Sequence, residues 1–332
     1  MHILVTGGSG FIAGHCILQL LDAGHDVRTT VRSLSREASV RSVLGDDPRL
    51  SFVAADLTRD EGWPEAVAGV DVVLHVASPV RPGHVENEDD VIVPAREGAL
   101  RVLRAARDAG VRRVVLTSAF HAVGWGHPRS DHVFTEADWT VLDGPGVDAY
   151  AKSKTLAERA AWDFVAGTPM ELVTLLPVAV LGPVLGGEVS GANHVVQRML
   201  AGAMPGFPHL FLPIVDVRDV ARAHVLAMTV PAAAGERFLL SNGPARELKD
   251  IGATIRTRLG AAAAKVPTRT VPNVVVRAAA LVNPEFRAFA PELGFAKRTS
   301  NEKARRVLGW SPRDPEEAIV AAARSLAPAV RV

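Results

Sequence analysis

The stretch ILVTGGSGFIAGHCILQLL, Ile3 to Leu21, sets a glycine-rich turn directly between an apolar strand and a long apolar helix, and no other stretch limits the fold so sharply. Gly7, Gly10 and Ala13 stand at GxxGxxG spacing. With a strand before and a helix after, the three positions divide the work: Gly7 makes the tight turn, Gly10 lets the backbone approach a pyrophosphate, and the small Ala13 packs helix on strand. The phosphates would rest on the helix N-terminus, where unpaired amides and the helix dipole favour negative charge. Gly7, Ser9, Gly10, Phe11 and Ile12 are therefore candidate ligands of a dinucleotide.

The rest of the first half alternates short apolar runs with longer amphipathic ones: DVRTTV, REASVRSVLG, LSFVAAD, DVVLHVAS, AREGALRVLRAARDAG and RRVVLTS. Strand runs separated by helical runs require right-handed crossovers and a parallel sheet covered on both faces, which is the doubly wound α/β (Rossmann) class. In the longest helical run Ala99, Val102, Leu103 and Ala106 recur at helical spacing, and Gly110 stands where a C-terminal cap belongs. After about residue 175 glycine- and proline-rich stretches such as LGPVLGGEVSGANH and AGAMPGFPHLFLP replace the alternation. The expected organisation is a dinucleotide-binding domain over residues 1–175 and a smaller, mainly substrate-binding lobe over 176–332, with a segment near 210–240 returning to the first domain.

Composition narrows the partner. The 332 residues carry a net charge of +1, with 22% charged and 48% hydrophobic, which disfavours nucleic acid and an anionic membrane and leaves a small molecule. No apolar run reaches the roughly eighteen residues of a membrane span, and Met1 leads into HILVTGG without a secretory pattern, so a cytoplasmic protein is expected. Cys16, the only cysteine, rules out an internal disulfide or a cysteine zinc cluster and belongs in the core.

The second strand distinguishes the two nicotinamide dinucleotides. A carboxylate at its end would bind the ribose hydroxyls of NAD, whereas an arginine suits a 2′-phosphate. This chain has Arg32 at the strand end and Arg36 four residues on, so NADP(H) is the expected cofactor. Asp56 and Leu57 follow the third strand, where adenine would be held, and Val76, Ala77 and Ser78 follow the fourth and could line the cleft.

The only tyrosine, Tyr150, is followed at helical spacing by Lys154, one of six lysines in the chain, so the two share a helix face. An ammonium and a cationic nicotinamide both favour a phenolate, which would bring the phenol into range for proton transfer to a carbonyl oxygen.

These residues, with TGGSGFIAG, TVRS, DVVLHVASP, VVLTS, YAKSKTLAERAAW, PVAVLGPVLG, VDVRDVARAH and KARRVLGWSP, resemble the extended short-chain dehydrogenases/reductases over nearly the whole chain. Within them the resemblance is to the branch of dihydroflavonol reductase, cinnamoyl-CoA reductase and microbial NADPH-dependent aldehyde and ketone reductases. It implies a sheet of seven strands, hydride transfer from NADPH, a Ser-Tyr-Lys catalytic set, and a homodimer through the long helices. Tyr150 and Lys154 match that set; Thr117 would line the cofactor, and Pro177 to Val180 would cradle the nicotinamide.

The serine does not match. The run is LTSAFHAVGWG, so Ala119 holds the position of the catalytic serine, and a methyl group donates no hydrogen bond to a developing oxyanion. Either Ser118 turns inward, although strand alternation would aim it at the opposite face, or His121 in the loop beyond supplies the donor or a second acid, or the chain is a slow or engineered variant or one whose reaction needs less help at that oxygen. His121, His127 and His132 sit at spacings of six and five, which match no compact metal-ligand pattern, and no metal is expected. Ala119, Phe120, His121, Trp125, Pro183, Val184 and Leu185, joined by Met204 and Phe207, would form a mainly apolar pocket for a hydrophobic or aromatic aldehyde or ketone. Two alternatives stay open: an NADP(H)-binding redox sensor without turnover, and a sugar-nucleotide epimerase or dehydratase.

Overall fold

The computed structural model describes residues 1–79, 85–186 and 189–327. Gly187, in the glycine-rich run quoted above, and the last five residues of the expected lobe lie outside the described residues.

The alternation of the first half becomes β1 (His2–Val5), α1 (Phe11–Asp22), β2 (Asp26–Val31), α2 (Glu37–Leu44), β3 (Leu50–Ala54), α3 (Trp63–Val67), β4 (Val72–His75), α4 (Asp89–Asp108) and β5 (Arg113–Thr117). A short strand β6 (Val133–Phe134) and α5 (Ala149–Val165) lead into β7 (Glu171–Pro177). The chain then runs through β8 (Ala179–Leu181), α6 (Asn193–Leu200), β9 (Phe207–Pro208), β10 (Phe211–Asp216), α7 (Val217–Thr229), β11 (Arg237–Leu240), β12 (Asn242–Glu247) and α8 (Leu248–Leu259).

Seven of these strands make one sheet in the order β11-β7-β5-β4-β1-β2-β3, and every pairing in it is parallel. The order in which strands are added reverses between β1 and β4, the switch point at which open α/β sheets hold their ligands. Strand alternation divides its apolar side chains between two cores. Ile3, Val5, Leu74, Val115 and Val173 pack with α1 and α7, while Leu4, Val73, Val114 and Leu172 pack with α4 and α5.

The longest of these helices begins earlier than its apolar pattern. The amphipathic run read from the sequence starts at Ala95, yet α4 runs from Asp89 with Pro94 inside it. A proline in the second turn forfeits one backbone hydrogen bond, and burial of Val91 and Ile92 offsets that loss.

The second half builds a small sheet of its own and also adds a strand to the large one. Strands β12, β10 and β8 form a separate sheet over a core that includes Val196, Met199, Phe207, Ile214 and Ile251. Between β10 and β12 the chain returns as α7, packed on α1, and as β11 at the sheet edge. The VDVRDVARAH motif governs this return: Asp216 caps α7 by accepting from Arg218 N at 2.8 Å, and Gln19 of α1 donates to Arg218 O at 2.8 Å. Asp219 then binds the C-terminal motif. Its carboxylate takes Arg313 N at 2.7 Å and pairs with the Arg313 guanidinium, and its carbonyl accepts the Trp310 indole at 2.8 Å.

Trp310 is 2% exposed within the core beneath α1 and α7. Trp310→Ala is expected to cost about 3–5 kcal/mol of stability in urea unfolding; a loss below about 1 kcal/mol would mean that the C-terminal segment is not part of this core.

Candidate active site

The phosphate loop is built to be bare. Gly7 has a φ of +77°, and a Cβ there would stand 2.9 Å from Ala77 Cβ. A Cβ on Gly8 would come within 2.4 Å of Thr29 Oγ1, and one on Gly10 within 3.0 Å of Gly7 O. The loop is anchored from behind, with Gly7 N donating to Thr30 Oγ1 at 2.8 Å and Gly8 N to Thr30 O at 2.9 Å. Gly10 caps α1 with no side-chain hydrogen bond, and no acidic residue occupies the first turn around Phe11 and Ile12. Ser9 is exposed and Ala13 is buried on the sheet. A cradle whose one side chain is the small Ser9, ending on a helix start with no opposing charge, fits a pyrophosphate.

The neighbouring strand ends are pinned to this loop. The Thr6 hydroxyl accepts from Val76 N at 3.0 Å and Ala77 N at 2.9 Å, and its own proton is left for His75 Nδ1 at 2.9 Å. Arg32 and Arg36 are exposed beyond β2, with no carboxylate among residues 32–36. Asp56 is half-buried and bonded to its own loop, accepting from Thr58 N and Thr58 Oγ1 at 2.8 Å each, which holds its carboxyl below the usual range. Leu57 packs against Gly98 of α4 and lines a cavity with Ala77, Ser78, Thr117, Ser118 and Lys154.

Helix α5 starts where Asp148 accepts from Ala151 N at 2.8 Å, and this cap fixes the register that brings Tyr150 and Lys154 to the end of β5. Lys154 is 8% exposed, donates to Ser78 Oγ at 2.8 Å, and lies 5.6 Å from the centre of the Tyr150 ring. The sequence suggested that Lys154 would bring the phenol down. In the chain by itself burial sets the direction: the phenol is pushed up to about 12 by desolvation and by Asp148, and the ammonium is pushed down to about 8 by desolvation.

Ala119 is buried in extended backbone at the start of a single 3-10 turn, Phe120–Ala122. Ser118 does not turn toward Tyr150. Its hydroxyl donates to Glu158 Oε2 at 2.7 Å on the α5 side of the sheet, the face to which strand alternation assigns it. His121 does reach the tyrosine: its ring meets Tyr150 edge-on at 4.8 Å and stacks on Trp125 at 3.8 Å, with Lys297 Nζ 4.2 Å from the Trp125 ring centre. Burial, with Lys297 and Lys154 nearby, drives His121 down to about 3, so it is a neutral imidazole with one N–H.

Two other residues expected at the substrate site, Phe120 and Phe207, are buried in packing cores. Phe120 is 2% exposed and packs on Gly124, Trp125 and Phe134, because successive side chains of a 3-10 turn point about 120° apart and Phe120 does not share a face with His121. Phe207 is fully buried in the lobe core against Gly252. Pro183, Val184 and Leu185 contact α1 and the C-terminal segment: Pro183 O accepts from His15 of α1 at 2.9 Å, Val184 N donates to Ser325 at 2.9 Å, and Leu185 abuts Gly14. Pro177 ends β7 beside the exit of β5, and Val180 lies in β8 where the chain crosses into the lobe. Thr117 Oγ1 pairs with His224 Nε2 at 2.7 Å, and His224 Nδ1 donates to Val220 O at 2.8 Å, so the threonine is turned toward α7. Among the described residues no group of histidines, cysteines and carboxylates is placed to hold a metal, and no helix is long and apolar enough to cross a membrane.

Residues 3–240 match the model of the NAD dependent epimerase/dehydratase family. The chain belongs to that family. Within the family it is 37% identical over 244 residues to cinnamoyl-CoA reductase 1 of Arabidopsis thaliana, covering 72% of this chain and 70% of the relative. It is 33% identical over 250 residues to dihydroflavonol 4-reductase of Zea mays, with 72% and 70% covered. Among solved structures, yeast methylglyoxal/isovaleraldehyde reductase complexed with NADPH superimposes with a TM-score of 0.79 at 25% identity over 98% of both chains. The likeness to UDP-glucose 4-epimerase of Bifidobacterium longum, at 18% identity and a TM-score of 0.76, shows the fold alone.

Three features of this family member were not read from its sequence: Glu158 beneath Ser118, the buried pair of His75 and Thr6, and the pair of His224 and Thr117. Their partners are distant in sequence, though Glu158 continues the spacing of Tyr150 and Lys154 by one more helical turn.

The buried histidines give a pH prediction. Folding drives His75 and His121 to about 3 and His224 to about 4, mainly by desolvation. When unfolded each takes up a proton near its ordinary value of about 6.5, so below that pH the unfolded state binds more protons and stability falls. The stability read from urea unfolding is expected to fall between about pH 7 and pH 5, the slope approaching roughly 1.4 kcal/mol per pH unit for each histidine only once the pH is well below 6.5. A midpoint constant over that range would contradict the neutral assignment.

Proposed function

We propose that this protein reduces a hydrophobic or aromatic aldehyde or ketone to the alcohol, with NADPH as hydride source and Tyr150 as proton donor. The observation that carries this reading is the juxtaposition at the end of β5: one tyrosine, its lysine 5.6 Å from the ring, and a wall of His121 and Trp125 rings, all beside a bare phosphate cradle. The protein is an NADP-dependent oxidoreductase acting on carbonyls. Its similarity to the plant reductases and to the yeast reductase that binds NADPH supports this class.

The cradle and Arg32 would hold the dinucleotide, Arg32 at its 2′-phosphate, and Lys154 and Ser78 would hold the nicotinamide ribose. When bound, the reduced nicotinamide supplies a hydride to the carbonyl carbon. As the C=O electron pair moves to oxygen, Tyr150 transfers its phenolic proton there. A phenol pushed up to about 12 is fully protonated at neutral pH, and a developing alkoxide is far more basic than a phenolate, so the transfer runs downhill. The Lys154 ammonium then stabilises the phenolate that remains.

Ala119 donates nothing, and the Ser118 proton is committed to Glu158. The second donor to the carbonyl oxygen is therefore assigned to the His121 N–H, which burial keeps neutral at working pH. The aromatic wall selects flat apolar substrates.

The test is NADPH oxidation across a panel of aromatic and aliphatic aldehydes and ketones, with NADH as control. Turnover with NADPH in preference to NADH is expected, with a shift toward NADH in Arg32→Asp. Tyr150→Phe is expected to lose on the order of a hundredfold or more in kcat, and His121→Ala a comparable factor in kcat/KM. Stoichiometric NADPH binding without turnover of any carbonyl would instead make the protein an NADP(H)-binding sensor.

A further inference from the structure

The carboxylate of Glu158 takes no part in the reaction above, yet its surroundings are built around it. On α5 the positions 150, 154 and 158 follow one another at single-turn spacing, so Glu158 shares a face with Tyr150 and Lys154. Its side chain is 1% exposed. Its oxygens accept from Ser118 Oγ at 2.7 Å, Thr174 Oγ1 at 2.7 Å and Arg237 Nε at 2.8 Å, with Arg237 Nη2 and Trp162 Nε1 at 3.4 Å. Apart from Trp162 on α5 itself, those donors come from the end of β5, from β7 and from β11, which are adjacent in the sheet, so one carboxylate fastens the catalytic helix to three strands. Arg237 is itself fixed, 3.6 Å over the Trp139 ring and bonded to the carbonyl oxygens of Glu136 and Asp138.

Fastening alone does not require a charge. A buried carboxylate and guanidinium are costly to desolvate, and apolar residues of similar size would hold a helix to a sheet as well or better. What a charge adds here is its effect on Lys154. Lys154, Glu158, Ser78, Ser118, Thr117 and His75 line one cavity of about 20 Å³. The titratable groups facing the ammonium are Tyr150 and Glu158 on its own helix, His75 from the end of β4 and His121 from the turn after β5. Of these only Glu158 is an acid of the carboxylate class.

We propose that Glu158 is a positioning residue of this site: its negative charge keeps Lys154 an ammonium, seated against Ser78 and Tyr150, while its hydrogen bond removes Ser118 from the chemistry. The proposal rests on the reading of Tyr150 and Lys154 as the proton-transfer pair. Burial and Glu158 act on Lys154 in opposite directions, burial pushing it down to about 8 and the carboxylate resisting.

The experiment titrates Lys154 directly in the protein without substrate, by carbon-13 NMR of labelled lysine side chains, of which there are six. Lys154 is assigned by its loss in Lys154→Arg. Removing the carboxylate charge in Glu158→Gln is expected to move the Lys154 titration to lower pH by about one unit. Arg237→Gln, which leaves the carboxylate without its cation, is expected to move it to higher pH. Thr174→Val, which removes a neutral donor, is expected to leave it in place. Opposite displacements establish an electrostatic role, because a merely structural one would disturb both variants in the same sense or neither. A Lys154 titration unmoved in Glu158→Gln and Arg237→Gln overturns the proposal. If Glu158→Gln does not fold, Arg237→Gln decides alone, an upward displacement supporting the proposal and none overturning it. Because the readout needs no turnover, a displaced titration in a protein that reduces no carbonyl would sink the reductase reading and leave the Glu158–Lys154 coupling standing.

Discussion

The docking of α5 onto the sheet is the contact on which the site depends. One stripe of that helix is polar and buried, and a polar stripe can lie against a hydrophobic sheet only if every group on it has a partner. Ser78 meets Lys154, the His121 ring meets Tyr150, and three strands meet Glu158. These pairings fix the rotation and height of the helix, so the position of the phenol is a consequence of partners two turns away. The Asp148 cap settles the remaining freedom at the N-terminal end.

Desolvation dominates the electrostatics of this region. It raises Tyr150, lowers Lys154, and keeps His75, His121 and His224 neutral. A neutral imidazole beside the phenol is a hydrogen-bond donor that brings no positive charge, so it can serve a carbonyl oxygen without repelling a cationic nicotinamide. On the proposed reading, this is what replaces the serine whose position Ala119 holds. The same desolvation means that positive charge at Lys154 has to be maintained by something, and the carboxylate one turn below is placed to do so.

The fold was legible because its signals are local. Alternating periods of strand and helix, and a glycine turn between the first of each, mark the doubly wound sheet without reference to any distant contact. Tyr150 and Lys154 were legible for the same reason, since helical spacing alone puts them on one face. What could not be read depends on contacts far along the chain. Phe120 and Phe207 looked like pocket residues because they are apolar and near the right motifs, but orientation in a one-turn helix or a two-residue strand leaves no periodicity to read. Pro183 to Leu185 are located by His15, Gly14 and Ser325, and Glu158 by Thr174 and Arg237, none of which the local pattern connects. The early start of α4 was hidden by Pro94, whose cost is offset by burial that a local propensity does not contain.

The central claim is that Tyr150, backed by His121 and not by a serine, serves the carbonyl oxygen. A crystal structure of the protein with NADP+ and an aromatic ketone tests it most directly. The account predicts the ketone oxygen within hydrogen-bond distance of the Tyr150 hydroxyl, a His121 ring nitrogen as its other polar neighbour, and Ser118 still bonded to Glu158. A ketone oxygen turned away from Tyr150, or bound by a Ser118 released from Glu158, would contradict it.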